Sequence, residues 1–431
     1  MKRRAFLGFL ILVVALTLTL VAVQSGRRPD AVNFFLTADT QGFLVPCGCK
    51  TVPAGGLARR AVAIHDFRDL CRPEAVIPIE AAHGFADRGP GRELLNREMG
   101  RFFERTGTWV GLGGYDLLLG PEALRFAAPG VEPLIAGRPS YRGSKEFRLG
   151  GWGWGAWSFG GQRLGVVFLS QTVPGGAPLA DPLTVLAGEL KAHPADRVMV
   201  VGQLAPETVR DLLKVEPAVL LVAAQWGTSV TTLPQQAGAG RWVLFLGDRG
   251  RRAATVRVAW SSGHWQVLPQ IRYLGPDTPS DPAVAAEVAG VIREVEAVNE
   301  GALKRMSQEA LPGQAFSGAP RCAPCHAEAH RRWAASPHAR ATSDLAIDHQ
   351  EKNPECLSCH ATALGKPGGY PQRSPDLSGV QCEACHGPAE GHPPKRLPSA
   401  PPSAETCGTC HTQRDSPLFD AEGYWKLVEH R

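Results

Sequence analysis

Cys322-Ala-Pro-Cys325-His326, Cys356-Leu-Ser-Cys359-His360, Cys382-Glu-Ala-Cys385-His386 and Cys407-Gly-Thr-Cys410-His411 repeat one five-residue pattern four times. Two thiols at C-x-x-C spacing match the separation of the two vinyl groups of a haem. The adjacent histidine then reaches the iron from one face, so the pattern predicts covalent c-type haem attachment. Paired C-x-x-C motifs also build zinc ribbons. Zinc, however, does not require histidine after every second cysteine, and the chain has only 13 His in 431 residues. Four haems, with His326, His360, His386 and His411 as proximal ligands, are therefore expected.

The sixth iron position is usually filled by Met or His, and Met raises the reduction potential. The chain's methionines are Met1, Met99, Met199 and Met306, all outside the haem segment. That segment holds five further histidines: His330, His338, His349, His392 and His430. Bis-histidine ligation and low potentials are the expectation at most sites.

The composition changes where the motifs begin. From Pro312 onward Pro, Ala, His and Cys rise and long aliphatic runs vanish, with 12 Lys/Arg against 13 Asp/Glu. Such a segment cannot bury enough aliphatic surface to order itself, so another group must supply its core. The preceding 311 residues carry a formal charge of +6 against −1 here, with no basic stripe interleaved with aromatics. Nucleic-acid binding is not expected.

Cys322–Ala341, with the pattern C-A-x-C-H…W-x-x-S-x-H-x-x-A, resembles the start of the cytochrome c-554 family of tetrahaem proteins. Asn353–His360, Gly368-Gly369, Gly379–Pro388 followed by His392, and the tail Ser416-Pro-Leu-Phe…Tyr424-Trp425…His430 fit it too. The resemblance implies His338, His392 and His430 as distal ligands, with His349 a weaker candidate. His330 fits better as a helix-face residue. It also implies that one haem lacks a sixth protein ligand.

Residues 31–275 have the pattern of an α/β domain. The apolar runs Val198–Val201, Ala218–Ala223, Trp242–Leu246 and Thr255–Trp260 predict buried strands. Pro206–Val215 has helical spacing with a first-turn proline, and Leu149–Gly161 predicts a hairpin. Asp281–Glu309 predicts an amphipathic helix with Val284, Val288, Val291, Ile292, Val295 and Val298 on one stripe, within a linker at 276–311. The haem segment then occupies 312–431.

Phe34–Arg60 reads FFLTADTQGFLVPCGCKTVPAGGLARR. It resembles the opening of the metallophosphatase and 5′-nucleotidase superfamily, which implies a four-layer α/β/β/α domain holding two metals at strand ends. The expected fold class is thus α/β: that domain followed by a mainly α, loop-rich multihaem cytochrome domain. The family's ligands are largely lost. Asp39 remains but Gln41 replaces a histidine, and His83 stands at the bridging aspartate. Gly114-Tyr115-Asp116, Gly202-Gln203-Leu204 and Ala223–Gly227 replace the remaining motifs. Two-metal catalysis needs carboxylate and imidazole ligands to clamp both ions, so phosphate-ester hydrolysis is not expected.

Cys47 and Cys49 form a C-x-C pair open to three readings: a disulfide with Cys71, a redox-active pair, or thiols for a soft metal. At the N-terminus, Lys2, Arg3 and Arg4 precede an uncharged, mostly apolar run from Ala5 to Val23. This predicts an export signal or, since no small-x-small cleavage site surrounds Gln24–Gly26, an anchor within residues 1–30. A periplasmic or other extracytoplasmic location is the corresponding expectation. The expected partners are redox proteins or a membrane quinol-linked donor, with a small-molecule substrate the alternative. On that alternative an open-faced haem, or Cys47 and Cys49, makes the chain an oxidoreductase.

Overall fold

The computed structural model describes residues 31–46, 53–130, 133–134, 154–227, 229–247, 249–309, 316–371, 376–389, 391–392, 402–412, 415–416 and 418–429. Among the described residues the first part of the chain forms twelve strands: β1 Ala31–Thr37, β2 Val76–Glu80, β3 Trp109–Gly111, β4 Pro133–Leu134, β5 Trp154–Phe159, β6 Gln162–Ser170, β7 Arg197–Gln203, β8 Val219–Gln225, β9 Gln235–Gln236, β10 Trp242–Phe245, β11 Arg252–Ser261 and β12 His264–Tyr273. They build two six-stranded sheets, ordered β12-β11-β1-β2-β3-β4 and β5-β6-β7-β8-β10-β9. In the first sheet β1, β2, β3 and β4 run parallel and β11 and β12 are antiparallel additions at one edge; in the second, β6, β7, β8 and β10 run parallel and β5 and β9 are antiparallel edges.

Side chains alternate across each strand, and here both faces are buried against different layers. From β1, Val32, Phe34 and Leu36 point to the inter-sheet core, where they join Val166, Phe168, Met199, Val201, Leu221 and Ala223. Phe35 points the other way, into a cluster shared with helices α1 Leu57–Cys71 and α2 Arg92–Thr106. On the second sheet Val198 and Val200 pack outward with Leu186, Val209 and Leu212. These belong to helices that follow α3 Gly120–Ala127, namely α4 Pro182–Ala192 and α5 Pro206–Val215. The result is a mixed α/β domain of two sheets flanked by helices.

Helix α6, Pro282–Glu309, lies on the outside of α1 and α2. Val284 and Val288 enter the same cluster as Phe102 and Phe103, with Val291 and Ile292 packed beside them. Val295 is buried, whereas Val298 is exposed at the far end of the stripe. The hairpin signalled by Gly and Trp is β5–β6, turning at Gly160-Gly161. Residues 149–153 lie outside the described residues.

After Phe316 the chain is helical and loop-rich. Its longer helices are α7 Ala327–Ala335, α8 Pro354–His360, α9 Cys382–His386 and α10 Ala421–Val428. The buried apolar cluster here is small: Leu345, Leu357 and Ala361, with Leu303, Leu364 and Tyr370 against it. Neither α7 nor α10 buries a residue.

The expected N-terminal membrane anchor is corrected. No helix among the described residues is long and apolar enough to cross a membrane. The longest, α6, has 28 residues but carries charges along its length, among them Glu287, Arg293, Glu294, Glu296 and Glu300. Such charges oppose transfer into a bilayer core. Residues 1–30 lie outside the described residues. The membrane quinol-linked donor and the location at a membrane's outer face fall with the anchor.

Candidate haem-binding site and the glutamine-lined centre

The four motifs are drawn into one cluster. The thiols of Cys322 and Cys382 lie close enough to perturb each other's ionisation, as do those of Cys359 and Cys410. The first motif therefore meets the third, and the second meets the fourth. A buried polar network knits them. Glu383, between the third motif's cysteines, accepts from the backbone N–H groups of Ser317 (3.0 Å), Gly318 (2.8 Å) and Ala389 (2.7 Å). Gln381 accepts from Ala319 N–H at 2.6 Å and donates to the carbonyls of Asp376 and Ser378. Thr362 accepts from Gln381 N–H and donates to Gly379 O at 2.8 Å. Gly379 has φ +77°, and a Cβ there would sit 2.7 Å from Ala339 O and 2.9 Å from His338 O. Only glycine lets the third motif's loop approach His338 so closely.

The imidazoles fit an iron-bridging role. The rings of His326 and His392 are 6.2 Å apart, centroid to centroid, and inclined by 23°. Those of His338 and His411 are also 6.2 Å apart, inclined by 53°. Two imidazoles sharing one metal from opposite sides, each through a bond of about 2 Å, hold their centroids about 6 Å apart. His360 Nδ1–H donates to Ala341 O at 2.9 Å, which leaves Nε2 for a metal. His411 Nδ1 lies 2.9 Å from Ser416 Oγ with the same consequence. His349 is exposed, at φ +57°. His330 lies against Trp333, with ring centroids 5.4 Å apart and planes inclined by 51°. His430, Cys47 and Cys49 lie outside the described residues; Cys71 is a half-buried free thiol.

In the α/β domain the residues at the strands' carboxyl ends converge. Asp39 follows β1, His83 follows β2 and Asp116 follows β3, while Gln203 and Gln225 end β7 and β8. Asp39 Oδ1 receives His83 Nδ1 at 2.9 Å, Gln41 Nε2 at 2.8 Å and Gln225 Nε2 at 3.2 Å. Gln203 Nε2 donates to Gln225 Oε1 at 2.8 Å, and Gly114 N–H donates to Gln203 Oε1 at 2.8 Å. Asp116 accepts from the backbone N–H groups of His83, Phe85 and Gly113 at 2.7, 3.1 and 2.8 Å. Gly202 aims Gln203 inward: a Cβ on it would lie 1.7 Å from Leu169 O.

Asp39, Gln41 and His83 all have positive φ, at 60°, 51° and 56°. Non-glycine residues adopt this conformation at a cost, and it is held here by the surrounding network. Burial pushes Asp116 up to about 6, against the charge of His83 and the three backbone donors. Burial pulls His83 down, but the hydrogen bond and charge of Asp39, with Asp116 and Asp87, outweigh it and its net shift is upward. Among the described residues no group of three or more His, Cys, Asp or Glu could hold a metal ion.

Residues 321–387 match the family model for cytochrome c554 and c-prime, and 375–416 match a doubled CXXCH motif. The C-terminal region is cytochrome c554-like and haem-binding. Cytochrome c-554 of Nitrosomonas europaea is 33% identical over 91 residues, a stretch covering 17% of this chain and 38% of that protein. The chain thus spans well under half of that relative.

The α/β domain has the fold of the sulfate thiohydrolase SoxB of Thermus thermophilus (TM-score 0.51, 12% identity, 62% of this chain and 61% of that one). A 5′-nucleotidase precursor from the same organism aligns with TM-score 0.48 and 18% identity over 66% of this chain and 61% of its own. A haem c-binding cytochrome region is therefore joined to an α/β domain with the fold of that thiohydrolase.

The residue patterns had not singled out Gln381, Glu383 and Thr362, which hold the motifs together. The signal available was a Gln and a Glu flanking Cys382, unusual polar neighbours for a buried attachment site.

Proposed function

We propose that this chain is a tetrahaem electron-transfer protein joined to a phosphatase-like domain that has lost its metals. The carrying observation is the pair of 6.2 Å imidazole spacings, His326 with His392 and His338 with His411. They support assigning these pairs as axial ligands of the first and fourth haems. His360 and His386 are the proximal ligands of the other two. His430 and His349 remain distal candidates. The haems, when bound, supply one-electron exchange; the chain's part is to fix their ligands and spacing. The proposed division is an α/β unit at 31–275, a helical link at 276–311 and the haem segment at 312–431.

The loss of phosphatase chemistry is supported by the glutamines. Gln41 and Gln225 point amide hydrogens at Asp39, and Gln203 closes the chain of bonds. Neutral amides satisfy that carboxylate but are poor ligands for a two-metal cluster.

The test is a haem count and spectrum of the protein made with a c-haem maturation system. About four haems per chain with a sharp low-spin α band, unresponsive to nitric oxide after reduction, is the expected outcome. A high-spin fraction that binds nitric oxide would point instead to an oxidoreductase with an open iron. Release of phosphate from nucleotides with Mn²⁺, Zn²⁺ or Fe²⁺ supplied would refute the loss of hydrolysis.

A further inference from the structure

The two imidazole pairs are held at different angles: His326 and His392 are inclined by 23°, His338 and His411 by 53°. One member of the wider pair is clamped. The Phe419 ring lies parallel to the His411 imidazole, with 12° between planes and 4.6 Å between centroids, and covers one of its faces. Tyr424 meets His411 edge-on at 5.8 Å and Phe419 at 5.0 Å. At the edge of the imidazole, Ser416 Oγ lies 2.9 Å from Nδ1. An imidazole that binds iron through Nε2 carries its proton on Nδ1, so the hydroxyl here accepts.

Local backbone bonds fix each part of the clamp. Ser416 N–H donates to Thr412 O at 2.8 Å, and Phe419 N–H donates to Ser416 O at 2.9 Å. Tyr424 sits on α10, which Asp420 caps by accepting from Gly423 N–H at 2.8 Å. Helix α10 buries no residue of its own, yet through Tyr424 it backs the imidazole. His360 is held differently, by Nδ1–H donation to the Ala341 carbonyl at 2.9 Å. An amide carbonyl is a stronger acceptor than a hydroxyl, so the two proximal imidazoles differ in donor strength.

We propose that Phe419 and Ser416 are positioning residues of the haem carried by Cys407 and Cys410. Phe419 sets the rotation of the proximal imidazole, and Ser416 sets its electron donation. This rests on reading His338 and His411 as one haem's axial pair. The angle between two axial imidazole planes sets the splitting of the iron d orbitals, and with it the resonance of a low-spin ferric haem. A hydrogen bond accepted from Nδ1–H makes the imidazole a stronger donor. Stronger donation favours ferric iron and lowers the reduction potential.

The experiment is electron paramagnetic resonance of the oxidised full chain and a potentiometric titration, with haem content measured on the same samples. The pair inclined by 53° should give a more anisotropic low-spin signal than the pair inclined by 23°, and H338A should remove it. In F419A that signal alone should shift or broaden, while F419Y, which keeps a stacked ring, should retain it. F419L keeps the apolar bulk without the ring and decides the matter if F419A fails to fold. S416A should raise one midpoint by up to about tenfold in that haem's reduction equilibrium, about 59 mV for one electron. S416T should return it. With full haem content, an unmoved signal in F419A and F419L overturns the role of Phe419, and unmoved midpoints in S416A overturn that of Ser416. An equal change in all haems overturns both. If H338A leaves every low-spin signal in place, the axial pairing itself is overturned and the proposal with it.

Discussion

Glu80→Gln is the most exacting test of how the α/β domain holds its centre. Glu80 and Arg60 pair at 2.8 Å with side chains 0% and 3% exposed. Glu80 also receives Thr37 Oγ1 at 2.7 Å and Thr40 Oγ1 at 2.8 Å, and Arg60 donates to Thr40 Oγ1 at 2.6 Å. The carboxylate accepts from every direction, so an amide would put an N–H₂ against a donor and leave the guanidinium buried without its counter-charge. Breaking one partner of a buried pair costs about 3–5 kcal/mol. That is a large fraction of the roughly 5–15 kcal/mol of a typical domain. At about 2–4 °C per kcal/mol for a domain of this size, the midpoint should fall by about 10 °C. Urea unfolding followed by tryptophan fluorescence reports this domain, since eight of the ten tryptophans precede residue 312. Haem absorption reports the other region separately. A loss below about 1 kcal/mol, the value of an exposed pair, would refute the reasoning. Replacing both partners with leucine should be far milder than Glu80→Gln, because no lone charge then remains.

Substituting His392 or His338 with alanine should convert about one haem per chain from low to high spin; an unchanged spectrum for either would remove that residue from the ligand set. Asp116 should make the α/β domain's stability fall as pH rises. Its folded-state pKa of about 6 lies above the ordinary 3.8, so the fold binds the proton more tightly than the unfolded chain does. The stabilisation is complete below about pH 4 and lost by about pH 6, up to about 3 kcal/mol. His83, raised in the fold, adds a loss in the same sense above its ordinary 6.5. Urea midpoints of wild type and Asp116→Asn across pH 4–8 would expose the difference; parallel curves would contradict it.

Haem attachment was legible in the chain because it is a local chemical requirement. Two thiols and a histidine must lie within five residues to meet one porphyrin, and no fold is needed to recognise them. The α/β sandwich was legible for a similar reason: strands such as β7 and β8 are apolar on both faces, and α5 begins at the expected first-turn proline. The exposure of Val298 was not legible, since helical spacing names a stripe but not where its partner ends. Distal ligation is non-local. His338 and His411 are brought to 6.2 Å by loops that only Gly379 and the Thr362–Gln381–Glu383 network can close. Sequence spacing identified which histidines were available; folding decided which rings face each other. The same holds for the centre. Gln41, Gln203 and Gln225 each appeared as a separate lost ligand in the sequence. Only the convergence of strand ends from both sheets joins them, Gln41 and Gln225 donating to Asp39 and Gln203 to Gln225.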